Sequence, residues 1–397
     1  MDPRVRDHAE TLVDWSARIE PGDDVIVDVD EGAHELAVAV VEALGERGAN
    51  VEVTYGSDEL SRAYLKGRED ADEPFETDPA HSLALFEAAD AYLRLGGGRN
   101  TMATADVDPE TRRAHARSRT GIREARMDTD WVSTVHPTRS LAQQAGMSIE
   151  AYREFVYGAV LRDWEALADE MDRLKRLLDA GSEVRIRIGR EDRPATEDRP
   201  ATEDRPATKT RSATEDRPVT DLTVGIEDRT AVNSAASVAY DSHNLPSGEV
   251  FTAPTTVAGE IHFDVPMTID GRRVRDVHLE VADGEVVDFA AATNEDALAS
   301  ILETDAGARR FGELGIGMNR GIDRFTDSIL FDEKMAGTVH LALGRAYDAC
   351  LPDGESGNDS AVHVDLIADV TTDASIAIDG EVIQRNGTFR WEDGFEA

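Results

Sequence analysis

The sequence predicts two domains of different class. Residues 1–181 read as an α/β domain, a partly parallel sheet with helices against it, and residues 182–397 as a mixed, mostly antiparallel α+β domain. Three observations predict this division. A strand–helix–strand unit fills residues 24–55, and such a unit normally closes a parallel pair through a right-handed crossover. A long helical stretch ends at Ala180-Gly181, and beyond residue 230 short strands follow one another through Gly and Asp-Gly turns. At 397 residues the chain is also long enough to bury two separate cores.

Ala9, Leu12, Val13, Trp15 and Ile19 recur near helical spacing, so residues 4–19 form an amphipathic helix that Pro21-Gly22-Asp23 ends. Asp24 to Val29 is a short buried strand, residues 32–46 a second helix closed by Gly48, and Val51 to Tyr55 the next strand. Residues 80–95 repeat the theme, a helix and then the strand Ala91 to Leu95. Gly96-Gly97-Gly98 follows that strand and invites a phosphate-cradling reading. Its spacing is not G-x-G-x-x-G and no P-loop Lys-Ser/Thr comes after it, so a glycine-rich turn is expected. Residues 107–126 are Arg-rich and helical. Residues 148–180 carry strong helical periodicity, with Ser148 as N-cap ahead of Glu150.

Val184 to Ile188 alternates as a strand and runs into a hexapeptide repeat over 191–220: EDRPAT three times, then KTRSAT, then EDRPVT. Proline blocks both ladder hydrogen bonds and helix continuation, and the copies are too short and polar to bury a core. The repeat is expected to be the solvated loop of a hairpin whose return strand is Asp221 to Ile226. Val257 to Phe263 and Val274 to Val281 show β patterning, with turns at Asp270-Gly271 and Asp283-Gly284. A short helix covers 294–303, and further strands run to the C-terminus.

The formal net charge is -39, with acidic residues spread along the whole chain and only four lysines. A hydrophobic content of 40% and clear element patterns argue against a disordered acidic chain. A solvated acidic shell over an ordinary fold, as in proteins of high-salt cytoplasm, accounts for both, because molar salt screens charge within roughly 3 Å. Such a surface disfavours nucleic acid and anionic membranes. The single cysteine, Cys350, excludes an internal disulfide framework and fits a reducing cytoplasm. No apolar run approaches the roughly 20 residues that span a bilayer, and residues 1–7 lack the apolar core of a signal peptide. A cytoplasmic location is expected.

The chemistry concentrates between Glu313 and Asp365. Gly312-Glu313, Asp332-Glu333, His340, Tyr347 and His363-Val364-Asp365 fall within about fifty residues of otherwise apolar strands and turns, and carboxylates and imidazoles of this kind bind Zn²⁺, Co²⁺ or Mn²⁺. In a strand, His363 and Asp365 project from one face, so an imidazole and a carboxylate can converge. A half-buried polar strand face gives the same spelling, and His262-Phe263-Asp264 is the internal control. His340 lies in an apolar run, where a core histidine with one hydrogen bond is the alternative to a ligand. Glu249 and Glu313 both follow glycine, at turns that either expose a carboxylate to a ligand or leave it on the surface.

Taken together, Asn244 to Pro254 around Ser247-Gly248-Glu249, Gly312-Glu313 with Gly317-Met318-Asn319, Asp332-Glu333-Lys334 leading to His340 and Tyr347, and His363-Val364-Asp365 resemble one family in order and spacing. It is the metallopeptidase family of aminopeptidase T, aminopeptidase S and PepS, the thermophilic metalloproteases. The resemblance extends to the N-terminal half and to Ala145-Gly146-Met147-Ser148; the 191–220 repeat departs from it. It implies a metal-dependent aminopeptidase with two divalent ions (Zn, Co or Mn) in the C-terminal domain. Mapped onto matching positions, Glu249, Glu313, His340, His363 and Asp365 would be ligands, with Glu333 a further one. Glu313 would act as ligand, as proton acceptor, or both, and Tyr347 would steady the oxyanion. The resemblance further implies short peptide substrates and a homodimer. Two other classes of function compete: an inactive relative that binds peptides or a partner, and a nucleotide-linked α/β enzyme using the glycines at 96–98. Chelator sensitivity separates the first reading from both.

Overall fold

Four parallel strands lead the first sheet. The computed structural model describes residues 2–71, 73–189, 220–269 and 271–396. β1 (Asp24–Asp30), β2 (Asn50–Gly56), β3 (Ala91–Gly96) and β4 (Asp130–Val135) lie in the order β2-β1-β3-β4, and Asn244–Leu245 joins β4, every pair parallel. Parallel strands are covered on both faces and so read as near-continuous apolar runs. In β1 that run is Val25, Ile26, Val27 and Val29, all buried, each contributing about 1.5–3 kcal/mol relative to exposure.

The expected helices are present with altered boundaries. Pro3–Glu10 is α-helical and Thr11–Ser16 continues it as a π-helix. Residues 107–126 form two helices, Pro109–Arg117 and Thr120–Met127. The Ser118 hydroxyl donates to the His115 carbonyl at 2.8 Å, a local bond that competes with helix continuation. The 148–180 stretch is likewise two helices, Ile149–Val160 and Trp164–Ala180. Ser148 caps the first as expected, accepting from the Ala151 N–H at 3.1 Å. Asp163 accepts from the Ala166 N–H at 3.0 Å and so starts the second.

Among the described residues the second sheet is antiparallel throughout. β5 (Glu183–Ile188) and β6 (Thr220–Gly225) pair from Glu183–Gly225 to Ile188–Thr220, which is the hairpin the sequence predicts. β7 (Thr256–Phe263) follows on β6, then β8 (Arg272–Ala282), while Ala374–Ile378 flanks β5 on the other side. Asp283 and Gly284 both hold positive φ, 53° and 79°, as a tight hairpin turn requires. Residues 191–219 of the repeat lie outside the described residues. β9 (Phe311–Gly317), β10 (Thr338–Gly344) and β11 (His363–Asp369) form a further antiparallel run in the order β11-β10-β9.

The chain divides into two compact units, but not by a single cut after Gly181. The first comprises Met1–Leu174, Val232–Val250 and Gly317–Ala336; the second comprises Lys175–Ala231, Phe251–Ile316 and Gly337–Ala397. Long-range contacts, invisible to local periodicity, draw the two later segments into the first unit. Asn233 donates to the Ala168 carbonyl at 3.0 Å, Asn319 donates to the Ala159 carbonyl at 3.1 Å, and the Phe331 ring lies 5.0 Å from that of Phe155.

Candidate metal centre

Register places the first group of candidates. Glu313 on β9, Ala342 on β10 and Asp365 on β11 are paired in one row, and Gly344 pairs with His363 two residues along. Directly paired residues share a face, so Glu313, His363 and Asp365 project together, with only Ala342 and Gly344 between them. The small middle residues leave the space. His363 Nε2 lies 3.6 Å from Glu313 Oε2 and 3.7 Å from Asp365 Oδ1. Donors about 2.1 Å from one ion at near-tetrahedral angles are about 3.4 Å apart, so the spacing fits a shared divalent cation.

The hydrogen bonding fits as well. His363 Nδ1–H donates to the Arg345 carbonyl at 3.0 Å, which fixes the ring with Nε2 towards the carboxylates. Glu313 is 5% exposed, and its Oε2 is buried without a hydrogen bond. A buried carboxylate oxygen left in that state is costly unless a cation satisfies it. Among the described residues, Glu313, His363 and Asp365 are the group whose ligand atoms all lie within 4.8 Å of one another.

His340 is fully buried and directs Nε2 at Glu313 Oε1, 3.0 Å away. It lies opposite Gly315 on β9. A Cβ on Gly315 would stand 2.1 Å from both Cε1 and Nε2 of the imidazole, so the ring occupies the place a side chain would take. Tyr347 is 49% exposed; its ring meets that of His363 edge-on at 5.0 Å and that of Phe251 at 5.6 Å.

Glu249 and Glu333 belong to the first unit, where they share a lysine. Lys334 is 0% exposed; its ammonium pairs with the Glu333 carboxylate and lies 3.4 Å from Glu249 Oε1. Asn319 stitches the two segments together. Its side-chain amide donates to the Ser247 carbonyl at 2.8 Å, and its backbone N–H donates to the Lys334 carbonyl at 2.9 Å. Gly248, at φ +117°, is a glycine because a Cβ there would stand 2.8 Å from that of Asn319. Asp332 plays a local part instead: Oδ1 accepts from the Thr326 N–H and hydroxyl at 2.8 Å, and burial pushes its carboxyl up to about 6.

A family model described as thermophilic metalloprotease (M29) matches residues 1–190 and 208–389. The chain belongs to the M29 metalloproteases. Within that family it is similar to Aminopeptidase 2 of Geobacillus stearothermophilus, 28% identical over 413 residues and 97% of each chain. It is similar also to Aminopeptidase T of Thermus thermophilus, 29% identical over 396 residues and 90% of each chain. The solved structure of wild-type AmpT from Thermus thermophilus superposes with a TM-score of 0.78 at 24% identity, covering 98% of this chain and 99% of that one, which shows a shared fold.

The glycines at 96–98 have another task in this chain. The Gly97 N–H donates to Asp30 Oδ2 at 3.1 Å, and a Cβ on Gly98 would meet Asp58 Oδ2 at 2.5 Å. The Gly97 N–H is thus already engaged by a carboxylate rather than open to a phosphate. His262 and Asp264 have other partners: His262 Nε2 lies 3.9 Å from Asp276, and Asp264 accepts from the Asp369 N–H at 2.9 Å. From the sequence, Lys334 enters only as part of Asp332-Glu333-Lys334, and Gly315 and the Arg345 carbonyl are not singled out. Lys334, beside a candidate ligand in a chain with four lysines, was the available signal.

Proposed function

We propose that this protein releases N-terminal amino acids from short peptides with two divalent ions, the first held by Glu313, His363 and Asp365. The M29 membership and the aminopeptidase relatives support the coarser statement: the chain is a metal-dependent aminopeptidase, a hydrolase of peptide bonds. The observation that carries the finer one is the convergence of His363 Nε2, its other nitrogen fixed by Arg345, on a buried carboxylate oxygen that lacks a hydrogen bond.

When bound, a divalent ion polarises a carbonyl and brings the acidity of water towards neutrality. The chain's own residues do the rest. Asp365 and Glu313 would supply negative charge to hold the ion, and His363 a ring nitrogen of fixed orientation. His340 Nε2–H steadies Glu313 through Oε1, so that Oε2 keeps one direction, either towards the ion or towards a proton of the attacking water. The half-exposed Tyr347 hydroxyl, on a ring braced by His363 and Phe251, stabilises the oxyanion. Glu249, Glu333 and, through the ring nitrogen that does not donate to Glu313, His340 are the proposed further ligands, as the family resemblance implies, and a homodimer in a salt-rich cytoplasm is the proposed setting.

The test is a paired assay in high salt. Metal content is measured, and hydrolysis of a leucyl amide is followed beside its N-blocked analogue before and after chelation and metal return. Metal-restored turnover of the free-amine substrate alone is the expected result. Bound metal without turnover on a panel of aminoacyl amides moves the reading to a peptide-binding relative, and no bound metal removes the ligand assignment.

A further inference from the structure

Lys334 is wholly buried between two carboxylates that are themselves largely buried. The side chains of Glu333 and Glu249 are 15% and 8% exposed. Taking an ammonium and two carboxylates out of water is costly, and apolar residues of similar volume in such places are often neutral or stabilising. Stability is therefore a poor reason for a lysine here. Its two partners are the carboxylates proposed above as ligands of a divalent ion, and that coincidence points to a role in cation binding.

We infer that the Lys334 ammonium is a built-in competitor for the cation at Glu249 and Glu333. It holds the two carboxylates when no ion is bound, and it weakens their grip on one that is. The inference rests on the reading of these two residues as ligands. Repulsion between like charges grows as distance and local dielectric fall. An ion on the oxygens that Lys334 contacts would sit within a few ångströms of the ammonium, in a place from which water is largely excluded. Removing the positive charge therefore strengthens cation binding.

Losing a positioning group would work in the opposite direction, but the backbone limits that effect. Asn319 holds the Ser247 and Lys334 carbonyls, and no side-chain replacement at 334 touches those bonds. The consequence is an ion that exchanges readily and occupies these carboxylates according to its supply.

The experiment compares chelator-stripped wild type, Lys334→Met and Lys334→Arg by thermal unfolding and by calorimetric titration with Zn²⁺ and with Mn²⁺. Stripped Lys334→Met should melt below wild type, gain more in Tm from added metal, and bind its weaker ion at least about tenfold more tightly. Lys334→Arg, which keeps the charge, should behave as wild type. A metal-induced shift in Lys334→Met equal to or smaller than that of wild type overturns the inference, because a merely structural lysine lowers both states alike. Folding of Lys334→Met only with metal present is the extreme of the expected result. If it folds under no condition, Lys334→Gln, neutral yet able to hydrogen-bond the same carboxylates, is read by the same criterion. Glu249→Gln and Glu333→Gln separate the two levels: if neither weakens metal binding, the ligand reading fails and this inference with it.

Discussion

Gly315 lies directly across β9 and β10 from His340, and the imidazole rests where a Cβ at 315 would be. Absence of a side chain on one strand thus sets the ring on the next, and the ring in turn meets Glu313 Oε1 at 3.0 Å. Gly315→Ala should push the imidazole off Glu313. Overpacking of this kind costs about 1–3 kcal/mol, and loss of an orienting partner at a metal site lowers activity or metal affinity about 10–100-fold. Thermal unfolding and kcat/KM would report both effects. Adding His340→Ala to Gly315→Ala frees the space again, so the double variant should be more stable than the sum of the single changes allows. Strict additivity would show that the ring and the glycine are not coupled.

The His-x-Asp spelling occurs twice, and the structure separates the copies. His363 and Asp365 face Glu313, whereas the side chains of His262 and Asp264 face Asp276 and the Asp369 N–H. Loss of an orienting partner already costs up to about 100-fold at metal sites, so removal of a ligand should cost more. His363→Ala and Asp365→Ala are expected to lower activity by more than about 100-fold and to lower bound metal, while His262→Ala should leave both near wild type. Metal analysis of the three purified variants decides the matter; full metal content in His363→Ala would remove it from the ligand set.

Acid should destabilise the first unit through His8. This imidazole is fully buried, its Nε2 shares a 2.8 Å hydrogen bond with the Thr134 hydroxyl, and its Nδ1 has no hydrogen bond. Burial holds its pKa down at about 3, against an ordinary 6.5. Between these values the unfolded chain takes up a proton that the folded chain refuses. The stabilising contribution is therefore complete above pH 6.5 and falls by about 1.4 kcal/mol per pH unit down towards pH 3. His8→Gln, which cannot ionise, should flatten this part of the profile. Denaturant titrations of wild type and variant at intervals between pH 7 and 4 provide the measurement, and parallel profiles would refute the assignment.

What the sequence made legible follows from the range of the interactions involved. β1 and β3 were readable because each is a short apolar run bounded by turn residues, β2 because Val51, Val53 and Tyr55 alternate with polar residues, and the paired carboxylate and imidazole on β11 because strand periodicity is local. The breaks at Ser118-Arg119 and Leu161–Asp163 were not, since a side-chain hydrogen bond to the neighbouring backbone overrides helical periodicity there. Register was hidden too. That Ala342 and Gly344 separate Glu313 from Asp365 and His363, and that Gly315 seats His340, are relations between strands distant in sequence. The assignment of residues 232–250 and 317–336 to the first unit depends on Asn233, Asn319 and Phe331 in the same way.

The hexapeptide repeat should be dispensable, and the strands on either side give the reason. β5 and β6 pair without interruption up to Ile188 and Thr220, so the hairpin is already registered where the repeat begins and ends. Two strands in this register can be closed by a turn of a few residues. Replacing residues 190–218 by an Asn-Gly turn shortens the loop several-fold, and loop-closure entropy then favours the shorter chain by about 1–2 kcal/mol. The expected outcome is a Tm equal to or a few degrees above that of the full chain, with kcat/KM within about twofold; the Tm gain follows from the stability change. Loss of turnover in a variant that still melts cooperatively would mean that the repeat takes part in function, and the reading of this segment as a solvated loop would have to be given up.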